Sequence, residues 1–551
     1  MPMVTFQRGP SDPRAIRFQT LAGGVDAALK AGDMARAIAG AEAAIAEGFA
    51  HPAFYNLLAA RDMQKGLYRE ALAQLRSGLR LAPRDANLLN MQGVAHNNLA
   101  EYREAIRALD AAILAAPSLA PAHYNRGVAH ERLGEMNRAR ADFERAVQLQ
   151  PNHLEARSRL AYSEAVRGQL AAARRHAESA LRLAPRDQLS HIALAMAENA
   201  DRRYDAAIAR LTALLPDLGP DQINRALALG LLGDAQDGAG DAARAFDAYR
   251  QSKDLLHRLY APAHGAANVL GQAAMLRDYF AAAPAERWTA DGSAPADPNA
   301  AGHVFLVGFP RSGTTLLEQT LAGHPAVVTS EEKDLLADTA RELAASPAAL
   351  DRLAALKPPQ AARQRDLYWK RAREAGLKAK DKVFVDKLPL NTLLLPLVAK
   401  LFPHAKVLFA LRDPRDVVFS CFRRAFDMSD QMYQLVTLEG AARYYDAVMG
   451  AGEIYRAKLG LAWRDVRHED FVRDYEAQAR DLCGWLGLTW NDEMTKVAER
   501  LRKRAVNTPS TMQIVRGVTT EGFAAWKRYE AQMQGVMPLL APWVERFGYE
   551  D

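Results

Sequence analysis

The sequence predicts two unlike folds in one chain, an α-helical solenoid followed by an α/β domain with a mostly parallel sheet. Three observations predict this division. Prolines recur every 34 residues through the first half, at Pro83, Pro117, Pro151 and Pro185. After residue 301, short apolar runs typical of buried strands alternate with helical patterns. The first of these runs leads into a glycine-bearing turn and a helix start.

The composition is that of a globular protein with more than one domain. The chain has 551 residues, which is more than one hydrophobic core organises, and 49% of them are hydrophobic. The net charge is +6, with 71 basic residues against 65 acidic ones. This balance is not the basic footprint of a nucleic-acid-binding protein, so we expect no nucleic-acid partner.

Cysteine usage and the lack of long apolar runs predict the compartment. The only two cysteines, Cys421 and Cys483, fall in apolar helical patterns, which indicates buried thiols in a reducing cytoplasm. Residues 1–18 have no continuous apolar core of signal-peptide length, and no segment reaches the length of a membrane span. We therefore expect a cytoplasmic protein with no membrane partner.

Small and large residues in the first half follow the period of the prolines. The small residues are Gly93 and Gly127 in first helices and Ala71, Ala105, Ala139, Ala173 and Ala207 in second helices. Larger side chains lie four residues after three of these alanines, at Leu75, Leu109 and Phe143. Small residues let two helices cross closely, and proline ends the second helix. The pattern resembles tetratricopeptide repeats, which are antiparallel helix pairs.

The repeats set the predicted domain bounds. We expect about seven repeats over 18–259, a capping helix and linker over 260–300, and an α/β domain over 301–551. Stacked repeats form a concave groove that usually binds a peptide or another protein, so we expect such a partner there. The oligomeric state is not readable from the sequence, and a homo-oligomer is open.

The stretch VFLVGFPRSGTT at 304–315 predicts an anion-binding loop. A strand over 304–308 runs into a turn with Gly308 and Gly313, and a helix follows. Backbone N–H groups and the helix dipole then converge on one point, where they can hold a phosphate or sulfate oxyanion. The spacing is nearly that of a Walker A loop, but Thr314 replaces the lysine that reaches the distal phosphates of a triphosphate. The loop therefore favours a nucleotide with one phosphorus group on its 5′ side.

The PRSGTT segment resembles the 5′-phosphosulfate loop of the sulfotransferases. That family transfers a sulfuryl group from 3′-phosphoadenosine 5′-phosphosulfate (PAPS) and needs no metal. The resemblance implies PAPS as co-substrate and no metal site. It also implies that the loop residues bind PAPS, namely Arg311, Ser312, Gly313, Thr314 and Thr315.

Further strands are predicted at 326–329, 383–386 and 406–411, with a fifth through Val466. Ligands bind beyond the carboxyl ends of parallel strands, so the residues that follow each strand are expected to meet at one edge. These residues are Arg311, Glu331, Glu332, Lys387 and Arg412. Asp413 and Pro414 then predict a helix start. Sulfotransferases bind the 3′-phosphate with an Arg and a Ser eight residues later, and the resemblance assigns this role to Arg412 and Ser420.

The longer segment GFPRSGTTLLEQTLAGHPAVVTSEEKDLL resembles the protein-tyrosine sulfotransferases and their repeat-bearing bacterial relatives. The resemblance implies that Glu332 is the catalytic base, whereas Glu331 suits the N-terminal turn of a helix. It implies that Lys387 contacts the bridging oxygen of the donor and, with Arg311, stabilises charge in the transition state. A tyrosyl hydroxyl is the acceptor that the resemblance favours, and a carbohydrate or a small alcohol stays open.

Two C-terminal segments resemble the family less closely. His468 in VRHEDF stands where the family has tyrosine, and its role is open. The segment QIVRGVTTEGFAAWKRYE resembles the part that folds over the nucleotide, but its spacing departs from the family pattern. No role is assigned to Gln513, Arg516, Trp526 or Lys527, and we expect Trp526 in the core.

Two alternatives keep the nucleotide but change the function. A P-loop kinase would use ATP and magnesium, with Asp386 as the candidate metal ligand, although the loop lysine is missing. A repeat scaffold would bind a nucleotide without catalysis. Such a scaffold would have no reason to keep Arg311, Glu332, Lys387 and Arg412 together.

Overall fold

The computed structural model describes residues 12–220, 222–289, 297–503 and 517–550. The chain forms two compact units. The first comprises Met1–Ala165 and Leu170–Leu194, and the second comprises Val166–Gln169 and Ala195–Asp551. Gln513 and Arg516, which the sequence singled out, lie outside the described residues.

Helices α1 to α14 follow one another as seven antiparallel pairs within the described part of the chain, and α15 comes after them. Their bounds are α1 (Pro13–Lys30), α2 (Met34–Ala46), α3 (Pro52–Gln64), α4 (Tyr68–Leu81), α5 (Ala86–Asn98), α6 (Tyr102–Ala115), α7 (Ala120–Arg132), α8 (Met136–Leu149), α9 (Leu154–Val166), α10 (Leu170–Leu183), α11 (Gln188–Ala200), α12 (Tyr204–Leu214), α13 (Ile223–Gly238), α14 (Ala242–His264) and α15 (Val269–Ala282). The predicted helical solenoid is confirmed.

The periodic small residues lie where two helices of a repeat cross. A Cβ at Gly93 would lie 2.4 Å from Cγ of Leu109, and one at Gly127 would lie 2.6 Å from Cε1 of Phe143. Real Cβ atoms do not approach that closely, because protein interiors are packed at contact distance. The larger side chain four residues after each alanine therefore fills the space that the glycine leaves open.

The second half contains a five-stranded sheet and the helices that cover it. The strands are β1 (Gly302–Gly308), β2 (Val327–Thr329), β3 (Val383–Lys387), β4 (Lys406–Leu411) and β5 (Ala462–Arg467). The α-helices are α16 (Thr314–Leu321), α17 (Ala337–Leu343), α18 (Pro347–Ala354), α19 (Pro358–Glu374), α20 (Leu395–Leu401), α21 (Pro414–Arg423), α22 (Asp430–Tyr433), α23 (Leu438–Lys458), α24 (His468–Arg473), α25 (Tyr475–Leu486), α26 (Val497–Lys503), α27 (Glu530–Met533) and α28 (Met537–Arg546). Short 3₁₀ turns occupy Leu215–Asp217, Ala285–Arg287, Pro389–Leu394, Gln434–Val436, Asp492–Thr495 and Ala525–Tyr529.

The strands run parallel in the order β2-β3-β1-β4-β5, which confirms the predicted α/β domain. Both faces of β1 are buried, because Phe305 and Val307 join one apolar cluster while Val304 and Leu306 join another. Parallel sheets covered on both faces have strands that are apolar throughout, which explains the continuous apolar run of β1. Since β1 lies between β3 and β4, the segments after these three strands meet at one edge.

The last helices before the sheet share its core. Tyr249 of α14 and Phe280 of α15 belong to the same buried cluster as Phe305 of β1 and Phe409 of β4. The division between compact units therefore falls at residues 194 and 195, ahead of the 260–300 segment that the sequence marks as a linker. The domain bounds 18–259, 260–300 and 301–551, which come from sequence patterns, stay a prediction.

No helix in the described ranges combines the length and the apolar character that crossing a bilayer requires. Cys421 and Cys483 are both buried free thiols.

Candidate functional site

The loop after β1 is shaped by two glycines. Gly308 has φ +143°, and a Cβ there would lie 2.6 Å from the carbonyl oxygen of Ala410 on β4. Gly313 has φ +91° and is the N-cap residue of α16. Glycine adopts such backbone angles without steric cost, whereas other residues do not. Ser312, Thr314 and Thr315 are buried around the start of α16. The loop therefore presents a helix N-terminus at the carboxyl edge of the sheet, as an oxyanion cradle requires.

The structure brings Arg412 and Ser420 against this loop. Nε of Arg311 donates to Oγ of Ser420 at 3.0 Å. Nη1 of Arg412 donates to the carbonyl oxygen of Arg311 at 3.3 Å, and its Nη2 donates to the carbonyl oxygen of Gly522 at 2.6 Å. Cys421 Sγ also donates to the carbonyl oxygen of Pro310 at 3.4 Å, so the second half of α21 contacts the loop. The candidate 5′ and 3′ anion sites are neighbours.

Asp413 and Arg415 form an ion pair at the start of α21. Oδ1 of Asp413 accepts from the backbone N–H of Arg415 at 2.9 Å, so Asp413 caps the helix as predicted. The carboxylate also binds the Arg415 guanidinium at 2.9 Å, and both side chains are at least nine-tenths buried. The pair is an internal anchor of the helix start and does not lie on the surface.

Positive charge is crowded around the loop. Burial and, to a smaller extent, the nearby Arg424 and Arg412 lower the pKa of Arg311 to about 9. A bound anion would offset this repulsion, because an opposite charge favours the cationic form. Burial, followed by the charges of Arg412 and Arg311, lowers the pKa of His468 to about 3. His468 is therefore neutral at pH 7.

His468 covers the loop glycine. A Cβ at position 313 would lie 2.5 Å from Nδ1 of His468. The imidazole also contacts Phe523, with ring centroids 5.8 Å apart. Because the ring is neutral, His468 can offer one donor and one acceptor to a ligand but no charge.

A cavity of about 560 Å³ opens beside the loop. This is the size range of small-ligand and cofactor sites. From the α/β part it is lined by Arg311, Gly313, Thr315, Arg412, Ser420, Arg423, Arg424 and His468. From the helices before the sheet it is lined by Asn199, Arg202, Tyr204, Asp234 and Asp237. The sequence analysis did not include this second group, since these residues fit the polar faces of ordinary repeat helices or the turns between them.

Glu332 and Lys387 are in direct contact. Nζ of Lys387 lies 2.5 Å from Oε1 of Glu332 and 3.0 Å from Oε2 of Glu318. Lys387 is fully buried, whereas 40% of the Glu332 side chain is exposed. Lys387 is the last residue of β3, so it is held by the sheet and is not an exposed loop lysine. Glu318, on α16, is a third member of this group that the sequence did not reveal.

The turn that carries Glu331 and Glu332 has an unusual backbone. Both residues have positive φ, at 49° and 65°, where a residue other than glycine costs roughly 1–2 kcal/mol. The turn is held by two hydrogen bonds: the Glu331 N–H donates to Oε1 of Glu318 at 3.0 Å, and the Glu332 N–H donates to the carbonyl oxygen of Lys387 at 3.1 Å. Strained residues held in this way concentrate at functional sites. The expectation that Glu331 begins a helix was wrong, because this segment turns and α17 begins only at Ala337.

The buried charges at this end stabilise one another. Burial lowers the pKa of Lys387, but the carboxylates of Glu318 and Glu332 more than compensate, so the pKa of Lys387 is raised overall. Burial raises the pKa of Glu318, and Lys387 counters part of that rise. Lys387 therefore stays a cation at neutral pH.

Asp386 faces away from this group. Its carboxylate accepts from the Tyr368 hydroxyl at 2.7 Å and from the Ser330 hydroxyl at 3.3 Å, and it is fully buried. Successive side chains in a strand point to opposite faces, so Asp386 and Lys387 cannot serve the same site. The position of Asp386 does not favour it as the metal ligand of a kinase.

The C-terminal segment closes over α21. Trp526 is buried in the main core, as expected, and its backbone N–H donates to Oδ1 of Asp416 at 3.0 Å. The Arg415 guanidinium lies 4.1 Å from the Trp526 ring centroid. Lys527 is exposed.

Comparisons with known proteins find matches for both halves of the chain. Residues 303–492 match the sulfotransferase family, and residues 120–153 match the tetratricopeptide repeat. An uncharacterized protein of Aquifex aeolicus (strain VF5) is 25% identical over 257 residues, which are 43% of this chain and 32% of that protein. The chain thus spans about a third of the length of this relative.

Two animal relatives match the same share of the chain. Protein-tyrosine sulfotransferase 1 of Danio rerio is 26% identical over 280 residues, which are 45% of this chain and 72% of that protein. Protein-tyrosine sulfotransferase A of Caenorhabditis elegans is 24% identical over 277 residues, which are 45% of this chain and 67% of that protein.

Proposed function

We propose that this chain transfers a sulfuryl group from PAPS to an acceptor hydroxyl. The premise is that it joins tetratricopeptide repeats to a domain of the sulfotransferase family. The observation that carries the proposal is the contact between Glu332 and Lys387. These residues, 55 positions apart, are the base and the cation that the family resemblance implies, and their side chains lie 2.5 Å apart. The anion-binding loop lies at the same edge of the sheet.

The donor would bind through the loop and the start of α21. Backbone N–H groups at 311–315 and the hydroxyls of Thr314 and Thr315 would hold the 5′-phosphosulfate. Arg412 and Ser420 would hold the 3′-phosphate. Arg311 links the two ends, because its side chain bonds to Ser420 and its carbonyl oxygen accepts from Arg412. Charge-assisted hydrogen bonds of this kind are about twice as strong as neutral ones.

The chemical step would take place at the Glu332 side. Glu332 accepts the proton of the acceptor hydroxyl while the oxygen forms a bond to sulfur. The bond between sulfur and the oxygen of the 5′-phosphate breaks, and negative charge develops on that oxygen. Lys387 and Arg311 stabilise this charge because they are fixed in place before the reaction. Glu332 is the exposed member of its ion pair with Lys387. Its carboxylate can therefore leave Lys387 and accept a hydrogen bond from a substrate hydroxyl.

Glu318 would keep Lys387 in place during that exchange. When Glu332 turns to the acceptor, Lys387 keeps its 3.0 Å contact with Glu318. A buried ammonium without a carboxylate partner would lose its proton readily. Glu318 therefore allows Lys387 to act as a cation throughout the cycle.

A tyrosyl hydroxyl in a peptide is the proposed acceptor. Two relatives bear the name protein-tyrosine sulfotransferase, and a repeat groove is suited to a peptide or protein partner. A carbohydrate or a small alcohol would require the same base and the same donor site. The proposed location is the cytoplasm.

The proposed donor is tested by calorimetric titration with 3′,5′-adenosine bisphosphate, with ATP and magnesium as the parallel ligand. We expect binding of the bisphosphate that weakens about 100-fold in Arg412→Ala, because a charge-assisted contact to a phosphate is lost. The exposed Lys527→Ala is the matched control and should bind as the unaltered protein does. Binding of ATP with no binding of the bisphosphate would overturn the proposed function.

A further inference from the structure

The cationic wall of the cavity extends beyond the residues that the family resemblance assigns. Ser420 and Arg423 lie on one face of the end of α21, because they are three residues apart, and Arg424 follows as the C-cap residue. All three line the cavity beside the loop. Two further guanidinium groups therefore lie one turn beyond the candidate 3′-phosphate residue.

Two aspartates of α13 hold these arginines. Nη1 of Arg423 lies 3.0 Å from Oδ2 of Asp237, and Nη1 of Arg424 lies 2.9 Å from Oδ2 of Asp234. Both members of the first pair are 12% exposed, and both members of the second are 24% exposed. Asp234 and Asp237 also line the cavity and belong to the same compact unit as the sheet.

Each aspartate is itself fixed by a tyrosine. The Tyr249 hydroxyl donates to Oδ1 of Asp234 at 2.9 Å, and the Tyr529 hydroxyl donates to Oδ1 of Asp237 at 2.7 Å. At Asp234, one carboxylate oxygen thus faces a neutral hydroxyl while the other faces a guanidinium. At Asp237, Nη2 of Arg528 also lies 3.0 Å from Oδ1 and 3.2 Å from Oδ2. This arrangement fixes the direction of each carboxylate, and hence of the arginine it holds.

Helix α14 fixes the backbone at the same place. Arg424 is the C-cap residue of α21, and its carbonyl oxygen accepts from Nζ of the buried Lys253 at 2.5 Å. Carbonyl groups at a helix C-terminus need partners of this kind. Ring contacts between Phe246 and Phe422 add apolar packing, with centroids 5.6 Å apart.

We propose that Asp234 and Asp237 are positioning residues of the donor site, which aim Arg423 and Arg424 at the 3′-phosphate of an adenosine 3′,5′-bisphosphate moiety. The last helix pair before the sheet, α13 and α14, is then part of the nucleotide site. This inference rests on the proposed function. A guanidinium carries five N–H donors, so an arginine held by one carboxylate oxygen keeps donors for a phosphate.

A positioning role of the two aspartates and a purely electrostatic role predict opposite changes in the affinity for the bisphosphate. Removal of an aspartate charge makes the cavity more positive, which by itself would tighten the binding of an anion. Loss of orientation weakens binding, because preorganised arginines no longer face the phosphate. The tyrosines separate the two effects, since Tyr249→Phe and Tyr529→Phe change no charge.

The test is calorimetric titration of the full chain with 3′,5′-adenosine bisphosphate and, in competition, with adenosine 5′-monophosphate. We expect about tenfold weaker bisphosphate binding in Asp234→Asn and Asp237→Asn and about threefold weaker binding in the two tyrosine variants. Binding of the monophosphate, which has no 3′-phosphate, should not change. Asp247→Asn on the exposed face of α14 is the control and should match the unaltered protein, and thermal unfolding verifies that each variant is folded.

The outcomes separate this inference from the proposed function. If the unaltered protein binds no bisphosphate, the proposed function fails and the inference with it. If the unaltered protein binds but the aspartate variants bind equally well or more tightly, the inference alone is overturned. Equal weakening of both nucleotides would also overturn it, because the aspartates would then act only on the fold.

Discussion

The two sides of β1 differ in how their charges are arranged. On the β4 side, Arg311 and Arg412 lie close together and face a cavity, and their mutual repulsion favours a bound anion. On the β3 side, Lys387 already has two carboxylate partners in Glu318 and Glu332. In the proposed function, one side binds an anion and the other exchanges a proton. Substitutions on the two sides should therefore separate binding from turnover.

The largest expected effect is on the β3 side. Glu332→Gln should lower turnover by about 10²–10⁴-fold, the usual contribution of a general base, with bisphosphate affinity unchanged. Steady-state kinetics and titration on the same preparation measure both quantities. Glu331→Gln, in the same strained turn, is the matched control and should keep most of the turnover. Retention of full turnover by Glu332→Gln would remove Glu332 as the base.

A substitution in the loop should show the reverse pattern. Gly313→Ala places a Cβ 2.5 Å from Nδ1 of His468 on a backbone with φ +91°. The combined clash and backbone strain should weaken bisphosphate binding by about 10- to 100-fold, since the strain alone is about 1–2 kcal/mol. Titration measures the loss. An alanine variant with unaltered affinity would contradict the assigned loop geometry.

Glu318→Gln sharpens the comparison, because it changes the partner of Lys387 and keeps both the Glu332 carboxylate and a side-chain oxygen for the Glu331 N–H. We expect turnover to fall about tenfold, since Lys387 loses the carboxylate that holds it when Glu332 turns to the acceptor. The alkaline limb of the pH–rate profile should move to lower pH, because loss of a neighbouring anion lowers the pKa of Lys387. An alkaline limb at the original pH would show that Glu318 serves only the fold.

The smallest effect on activity is expected at Asp386. Burial raises its pKa to about 7, although bonds from Tyr368 and Ser330 counter part of the rise. The unfolded chain releases this proton near pH 4, so the group makes folding less favourable as the pH rises from about 4 to 7. Asp386→Asn should remove that decline and so raise the free energy of unfolding at pH 7 by at most about 4 kcal/mol.

Thermal unfolding of Asp386→Asn from pH 4 to 8, beside the unaltered protein, measures this difference. Nucleotide binding and turnover should be kept, because the side chain faces Tyr368 and Ser330. Loss of magnesium-dependent nucleotide binding in this variant would instead favour a kinase.

The loop and the strand ends could be predicted because they are local. The glycines and the helix start lie within ten residues, and a parallel sheet brings the ends of its strands to one edge whatever the connections are. The repeats could be predicted because the same spacing of small residues recurs. Glu331 was wrongly expected at a helix start, because positive φ at two successive residues is stabilised by Glu318 and β3, which lie far away in sequence.

The supporting residues could not be predicted because their roles depend on tertiary contacts. Glu318 stands in the helical run LLEQTL, and only its charge among apolar neighbours could have drawn attention to it. Asp234 and Asp237 fit the polar face of a repeat helix, and nothing local shows that α21 lies against them. In our proposals, these residues orient the predicted site from elements that are remote in sequence.

The most direct test of the account is a mass-spectrometric assay of the full chain with PAPS and a tyrosine-containing peptide. We predict a sulfated peptide and an equal amount of 3′,5′-adenosine bisphosphate from the unaltered protein, and neither from Glu332→Gln, which still binds the bisphosphate. Equal turnover by both proteins, or transfer of phosphate from ATP in place of sulfate from PAPS, would contradict the account.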